Sequence, residues 1–302
     1  VSPVSGERHA VRCHHTETVA QSTQSFKTDE RSSVKVEATE PLLTLRDLHI
    51  SYERPSFFKR LRGSTLKPTV SDITLTLHRG ETLAVVGESG SGKSTILRAL
   101  AGLKGIQNGE MLLNGGQVLS DKAAERHIDV RRAVQIIFQN PDASLNPRHT
   151  VRQILSAPLQ RYFGLDAKDC DERIYGLLEQ VQLGSHYIDR FPAQLSGGEK
   201  QRVAIARAFA AEPEVVLCDE VTSALDVSVQ AAVLRLLMQL QAEQGTSYVF
   251  VSHDLAVVKV IADRVAVLYQ GRVCEVGPTD EIFTPPHHPY TAELLAAVLE
   301  PQ

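Results

Sequence analysis

Apolar and polar positions alternate with period two in "LLTLRDLHISY" (residues 42–52) and "SDITLTLHRG" (residues 71–80). That is the pattern of strands with one buried face. Three other runs, "TLAVV" (82–86), "EVVLCD" (214–219) and "YVFVS" (248–252), are continuously apolar and rich in β-branched residues. Such runs suit strands covered on both faces. Between the last two, Val229, Val233, Leu236, Leu237 and Leu240 recur at helical spacing. Strands alternating with helices predict an α/β core around a largely parallel sheet. The alternation breaks over residues 140–200, where "TVRQILSAPLQRYFG" and "DERIYGLLEQVQLG" read as helices, each ending near a glycine. A helical subdomain inserted into the α/β core is therefore expected.

The segment before these elements is different. Residues 21–41, "QSTQSFKTDERSSVKVEATEP", carry few large apolar groups and read as a flexible linker. Composition narrows the classes of function. The 302 residues are 42% hydrophobic and 23% charged, ordinary for a soluble globular chain. The net charge of -4 argues against a dedicated nucleic-acid binder, which usually has a basic surplus. No apolar run approaches the roughly 18 residues needed to span a bilayer, so any membrane role is expected to be peripheral. The opening "VSPVSGERHAVRCHH" lacks the apolar stretch of a secretory signal. Cys13, Cys170, Cys218 and Cys274 form no close pairs, which suits a reducing, cytosolic setting.

The chemistry concentrates at strand ends. "GESGSGKST", Gly87 to Thr95, fits G-x-x-x-x-G-K-[ST] between an apolar strand and a helix. Gly87, Gly90 and Gly92, with Ser89 between them, let backbone wrap closely around phosphate oxygens at a helix N-terminus. Lys93 is positioned to reach the β- and γ-phosphates, and Ser94 to ligate magnesium. Asp219 ends a buried strand and is expected to hold the same ion, with Glu220 beside it to polarise an attacking water. Gln139 in "IIFQNPD" ends another apolar strand and can touch both magnesium and water. His253 in "VSHD" follows a strand and can bond the γ-phosphate. A second Gly-rich, basic element, "LSGGEKQR" (195–202), heads a further helix, whose dipole would favour an anion.

Together "GESGSGKST", Gln139, "LSGGEKQR", "CDE", "SALD" and "VSHD" resemble, in order and spacing, an ATP-binding-cassette (ABC) ATPase over residues 42–285. The resemblance implies a P-loop NTPase with a RecA-like core, an antiparallel β-subdomain and a helical subdomain. It implies ATP and magnesium as ligands and two cassettes packed head to tail. Ser196, Gly197 and Gly198 would then bind the γ-phosphate held by the partner cassette, with Asp226 of "SALD" at the interface. Tyr52 matches the aromatic that stacks on adenine, with Phe57 and Phe58 as nearby competitors. Many relatives carry proline after the glutamate, where this chain has Val221.

Two further stretches resemble the dipeptide, oligopeptide and nickel importer branch: "NPDASLNPRHTVRQIL" and the ending "EIFTPPHHPYTAELLAAV", with residues 286–302 as a His-Pro-Tyr extension. His287 and His288, flanked by prolines, make a poor chelate. The branch implies an ATPase at the cytoplasmic face of the cell membrane, docked on two permease subunits and served by an external solute-binding protein, with no nucleic-acid partner. Peptides are the favoured cargo. Nickel or another small solute, and a soluble ABC ATPase without transport, stand as alternatives. "GERHAVRCHH" resembles the last ligand stretch of an iron–sulfur extension in this branch. The chain thus reads as the C-terminal half of a tandem two-cassette polypeptide whose N-terminal half is the partner cassette, with residues 1–20 the end of that first cassette's C-terminal extension and Cys13 the fourth ligand of a four-iron cluster whose other ligands lie outside this sequence; an incidental cysteine in a leader is the competing reading.

Overall fold

The computed structural model describes residues 41–51 and 69–299. Tyr52, Phe57, Phe58, Cys13, the segment 1–20 and nearly all of the linker 21–41 lie outside the described residues. The first part of the chain forms β1 (Pro41–Ile50), β2 (Val70–His78), β3 (Thr82–Val86), α1 (Lys93–Leu100), β4 (Asn108–Leu113) and β5 (Gln117–Val118). It continues through α2 (Ile128–Ala133), β6 (Val134–Ile137), α3 (Pro141–Ser144), α4 (Val151–Phe163), α5 (Ala167–Gln180) and α6 (Gly197–Phe209). Then come β7 (Val215–Asp219), α7 (Val227–Gln244), β8 (Ser247–Val251), α8 (Leu255–Ile261), β9 (Arg264–Tyr269) and β10 (Arg272–Pro278), closed by α9 (Thr279–Ile282) and α10 (Pro289–Leu299).

Two sheets carry the fold. One is antiparallel, ordered β2-β1-β4-β5, and the other is ordered β10-β9-β3-β8-β7-β6. In the second, only the β9–β10 pair is antiparallel. The alternation in β2 buries Ile73, Leu75 and Leu77 against β1 and α1, as a half-covered sheet requires. In β7 the period-two geometry instead sends Val216 and Cys218 into one core and Val215 and Leu217 into the other. That double coverage is why its sequence is continuously apolar. Cys218 is fully buried, and burial pushes its thiol well above the usual range, so it is an inert core residue.

The helical subdomain begins on a capping box: Thr150 Oγ1 accepts Gln153 N–H, and Gln153 Oε1 accepts Thr150 N–H at 2.9 Å. α4 ends on Gly164 in the left-handed region, whereas α5 ends at Gln180, short of Gly184; there Gln182 takes the positive φ itself. Ile154, Leu155, Leu159, Ile174 and Leu178 join the face of β7 and β8 in one core with α6. The subdomain is thus joined through α6 to the sheet that carries the site.

Candidate nucleotide-binding and hydrolytic site

The parallel register aligns the carboxyl ends of four strands. Val85 pairs with Val251, Val251 with Asp219, and Cys218 with Ile137. The segments leaving those ends are the 87–92 loop, Gln139, Asp219–Glu220 and His253. An open α/β sheet presents its ligand groups at this edge.

The 87–92 loop is shaped by crowding. Gly87 has φ 143°, and a Cβ there would lie 2.1 Å from the carbonyl oxygen of Leu268 on β9. Gly92, at φ 107°, caps α1, and its Cβ would meet Val70 Cγ2 at 2.4 Å. Ser89 and Gly90 form the exposed crown, whereas Thr95 is buried one turn into α1. Lys93 is only 5% exposed, and its Nζ donates to the carbonyls of Gly87 and Glu88 at 2.7 Å each. Burial draws its pKa below the usual lysine value, against the opposing pull of Glu220, Asp219 and Glu88. A poorly solvated ammonium folded on its own loop is ready to exchange carbonyls for phosphate oxygens.

Ser94 Oγ donates to Asp219 Oδ1 at 2.7 Å. Two hard oxygen ligands side by side fit magnesium, which favours such donors. Asp219 is held above the usual carboxylate range by burial, which outweighs the Ser94 hydrogen bond and the charges of Arg98 and Lys93. The native state therefore binds the proton more tightly than the unfolded chain does. Stability falls as pH rises between the unfolded and folded pKa values, and stays lower above them. Asp219→Asn removes that cost and keeps an acceptor for Ser94. We expect it to raise Tm at pH 7.5. The gain should shrink toward zero as pH is lowered through the carboxylate range, which thermal scans across pH would read.

Glu220 stands at φ 48°, a left-handed conformation costing a non-glycine residue about 1 kcal/mol. Its amide donates to Val251 O at 3.1 Å, and Ser223 Oγ donates to its carbonyl at 3.0 Å. The turn aims the carboxylate across the strand ends. Gln139 Nε2 donates to Glu220 Oε2 at 2.9 Å and to Ser223 Oγ at 3.1 Å, while His253 Nδ1 lies 3.6 Å from Glu220 Oε2. Residues 139, 220 and 253 thus meet around one carboxylate. Ser223 is an addition to the constellation expected from sequence; its only local signal is a serine three residues beyond the glutamate in a tight turn. Val221 is buried in the core beside Cys218, so the side chain at that position serves packing.

The second Gly-rich element heads α6. Ser196 Oγ accepts Glu199 N–H at 3.3 Å, and Ser196 N–H donates to Glu199 Oε2 at 2.7 Å, a reciprocal cap. Tyr187 donates a short hydrogen bond to Glu199, and that bond holds the carboxyl below its usual range. The two glycines differ. A Cβ on Gly198 would lie 2.6 Å from Val229 Cγ1, whereas one on Gly197 would meet only Leu225 Cδ2, at 4.0 Å. Packing within the chain accounts for the first glycine and leaves the second open to an outside group. Asp226 caps α7, accepting Val229 N–H at 3.0 Å and Ser228 Oγ at 2.7 Å.

Comparison with known proteins follows the same lines. A family described as ABC transporter matches residues 70–223. The oligopeptide transport ATP-binding protein OppF of Salmonella typhimurium is 46% identical over 267 residues, covering 87% of this chain and 79% of that protein. The dipeptide transport ATP-binding protein DppF of Haemophilus influenzae is 49% identical over 240 residues, covering 78% of this chain and 73% of that protein. Among solved structures, a dimeric post-hydrolysis state of the ATP-binding cassette MJ0796 bound to ADP and Pi has a TM-score of 0.66 and 27% identity, covering 79% of this chain and 99% of that one.

Proposed function

The chain belongs to the ABC transporter family, and from that premise we propose that it is the ATP-hydrolysing subunit of an importer for oligopeptides or dipeptides. Its identity with OppF and DppF supports the peptide assignment. Among the described residues no helix is long and apolar enough to cross a membrane. The membrane passage is therefore assigned to permease partners, with this chain at their cytoplasmic face.

The observation that carries the hydrolytic reading is the meeting of Gln139 and His253 at the Glu220 carboxylate. In this reading the N–H groups of residues 87–95 and Lys93 hold the phosphates of ATP. Ser94 and Asp219 hold magnesium, which when bound neutralises charge on the β- and γ-phosphate oxygens. Glu220 takes the proton of the water that attacks the γ-phosphorus, as the bond from that phosphorus to the β–γ bridging oxygen breaks and ADP leaves. Gln139 fixes the carboxylate's orientation, and His253 bonds the γ-phosphate oxygens.

A single cassette leaves the far side of the γ-phosphate open. Gly197 and Gly198 supply amide donors, and Ser196 its hydroxyl, at the head of α6 for the phosphate of a second cassette, and Asp226 flanks that face. The unfilled side of Gly197 and the dimeric form of the MJ0796 cassette support this arrangement. ATP then acts as the adhesive between two cassettes, and hydrolysis releases them. The helical subdomain, joined through α6 to the same sheet, transmits the motion to the permease.

The test is uptake of a labelled oligopeptide by proteoliposomes containing the assembled complex and its solute-binding protein. Uptake that requires enclosed ATP supports the proposal. ATP hydrolysis that no peptide stimulates, with no uptake, overturns the peptide assignment.

A further inference from the structure

The His-Pro-Tyr segment has one local role and one distant contact. His288 caps α10: its Nδ1 accepts Tyr290 N–H at 3.2 Å, and its carbonyl accepts Ala292 N–H at 3.0 Å. Its own amide donates to Glu275 Oε2 at 3.1 Å, which ties the cap to β10. Pro289 occupies the first helical position, where no N–H is needed. This local geometry turns Tyr290 inward, to 5% exposure. The hydroxyl of Tyr290 accepts Glu88 N–H at 2.9 Å, inside the phosphate loop. Burial pushes the phenol above its usual pKa, so it stays neutral at physiological pH.

The contact sits on a continuous support. The Tyr290 ring stacks on Tyr269, with centroids 4.1 Å apart. Tyr269 ends β9, and Leu268 just before it is the residue whose carbonyl crowds Gly87. Successive residues of β9 therefore back successive residues of the loop, the second of them through Tyr290. The Glu88 backbone is held on both sides of its Cα: its N–H by Tyr290, its carbonyl by Lys93 Nζ at 2.7 Å. When Lys93 turns to phosphate, the carbonyl tether is released and the Tyr290 tether stays. A loop already ordered before the nucleotide arrives, and held by the same tether afterwards, loses less conformational freedom on binding, which raises affinity.

We infer that Tyr290 is a positioning residue of the nucleotide cradle, through which the C-terminal segment sets ATP affinity. The inference rests on the reading of residues 87–95 as an ATP cradle.

Tyr290→Phe tests it, because the ring, its stack and its burial are kept and only the hydroxyl is lost. In the assembled complex KM for ATP should rise about 2- to 10-fold, the range of one neutral hydrogen bond. Turnover at saturating ATP should stay within about twofold of wild type, since the bond is made alike in ground and transition states. Equilibrium binding of a fluorescent ATP analogue to the full chain should weaken by the same factor, with Tm of the nucleotide-free protein shifted by less than about 2 °C. Tyr269→Phe, which removes a hydroxyl from the same stack but not from Glu88, should leave KM at its wild-type value. A Tyr290→Phe protein with wild-type KM and affinity, whether or not its Tm falls, would overturn the inference. Wild-type protein that binds no ATP analogue would overturn the cradle reading, and this inference with it.

Discussion

Glu220→Gln is expected to lower ATP turnover at this chain's site by about 10²- to 10⁴-fold, the usual contribution of a general base. ATP binding should survive intact. The substitution preserves shape and keeps an oxygen to accept the Gln139 amide, which donates to Glu220 Oε2 at 2.9 Å. It removes the carboxylate on which Gln139 and His253 converge, His253 Nδ1 lying 3.6 Å from Glu220 Oε2. The backbone cost at φ 48° is the same for glutamine as for glutamate, so the fold should be unaffected. Single-turnover hydrolysis alongside a nucleotide-retention assay separates the outcomes. Retained ATP with lost hydrolysis fits the assignment; undiminished hydrolysis would remove Glu220 from the chemistry.

Gly197→Ala is expected to lower ATP turnover of the complex by about 10²-fold, the scale on which loss of one preorganised oxyanion donor is felt. This chain's own ATP affinity should not change. Within the chain the added methyl meets only Leu225 Cδ2 at 4.0 Å, an ordinary contact, and alanine is the better helix former. Folding is therefore expected to hold or improve slightly. The damage falls on whatever approaches from outside, where the methyl stands in front of the α6 amides. Gly198→Ala makes a poor substitute, since its Cβ would sit 2.6 Å from Val229 Cγ1 and would disturb the α6–α7 packing directly.

What could be read from sequence depended on how local the constraint is. Residues 87–95 are one contiguous loop and helix start, and the proposed function gives their glycines, lysine and serine a single ligand, so their spacing carries the meaning. Asp219 and Glu220 were legible because a buried parallel strand must end where its apolar run ends, and α/β sheets bind ligands at that end. Ser223 and Tyr290 were not legible in the same way. Ser223 acts by bridging Gln139 to the Glu220 turn, and Tyr290 reaches Glu88 from the far end of the chain. Their roles come from tertiary approach, which leaves no spacing to recognise. The end of α5 shows the local limit: Gly184 looked like its stop, but Gln182 adopts the left-handed turn instead.

In the proposed function a phosphate held by one cassette is completed by another. The measurement that addresses this most directly is bound ATP and ATP turnover, determined on the same preparation of complex assembled with the Gly197→Ala chain. Wild-type occupancy of this chain's cradle together with collapsed turnover is expected. Turnover near the wild-type rate, or loss of ATP from the chain's own cradle, would contradict the proposed function.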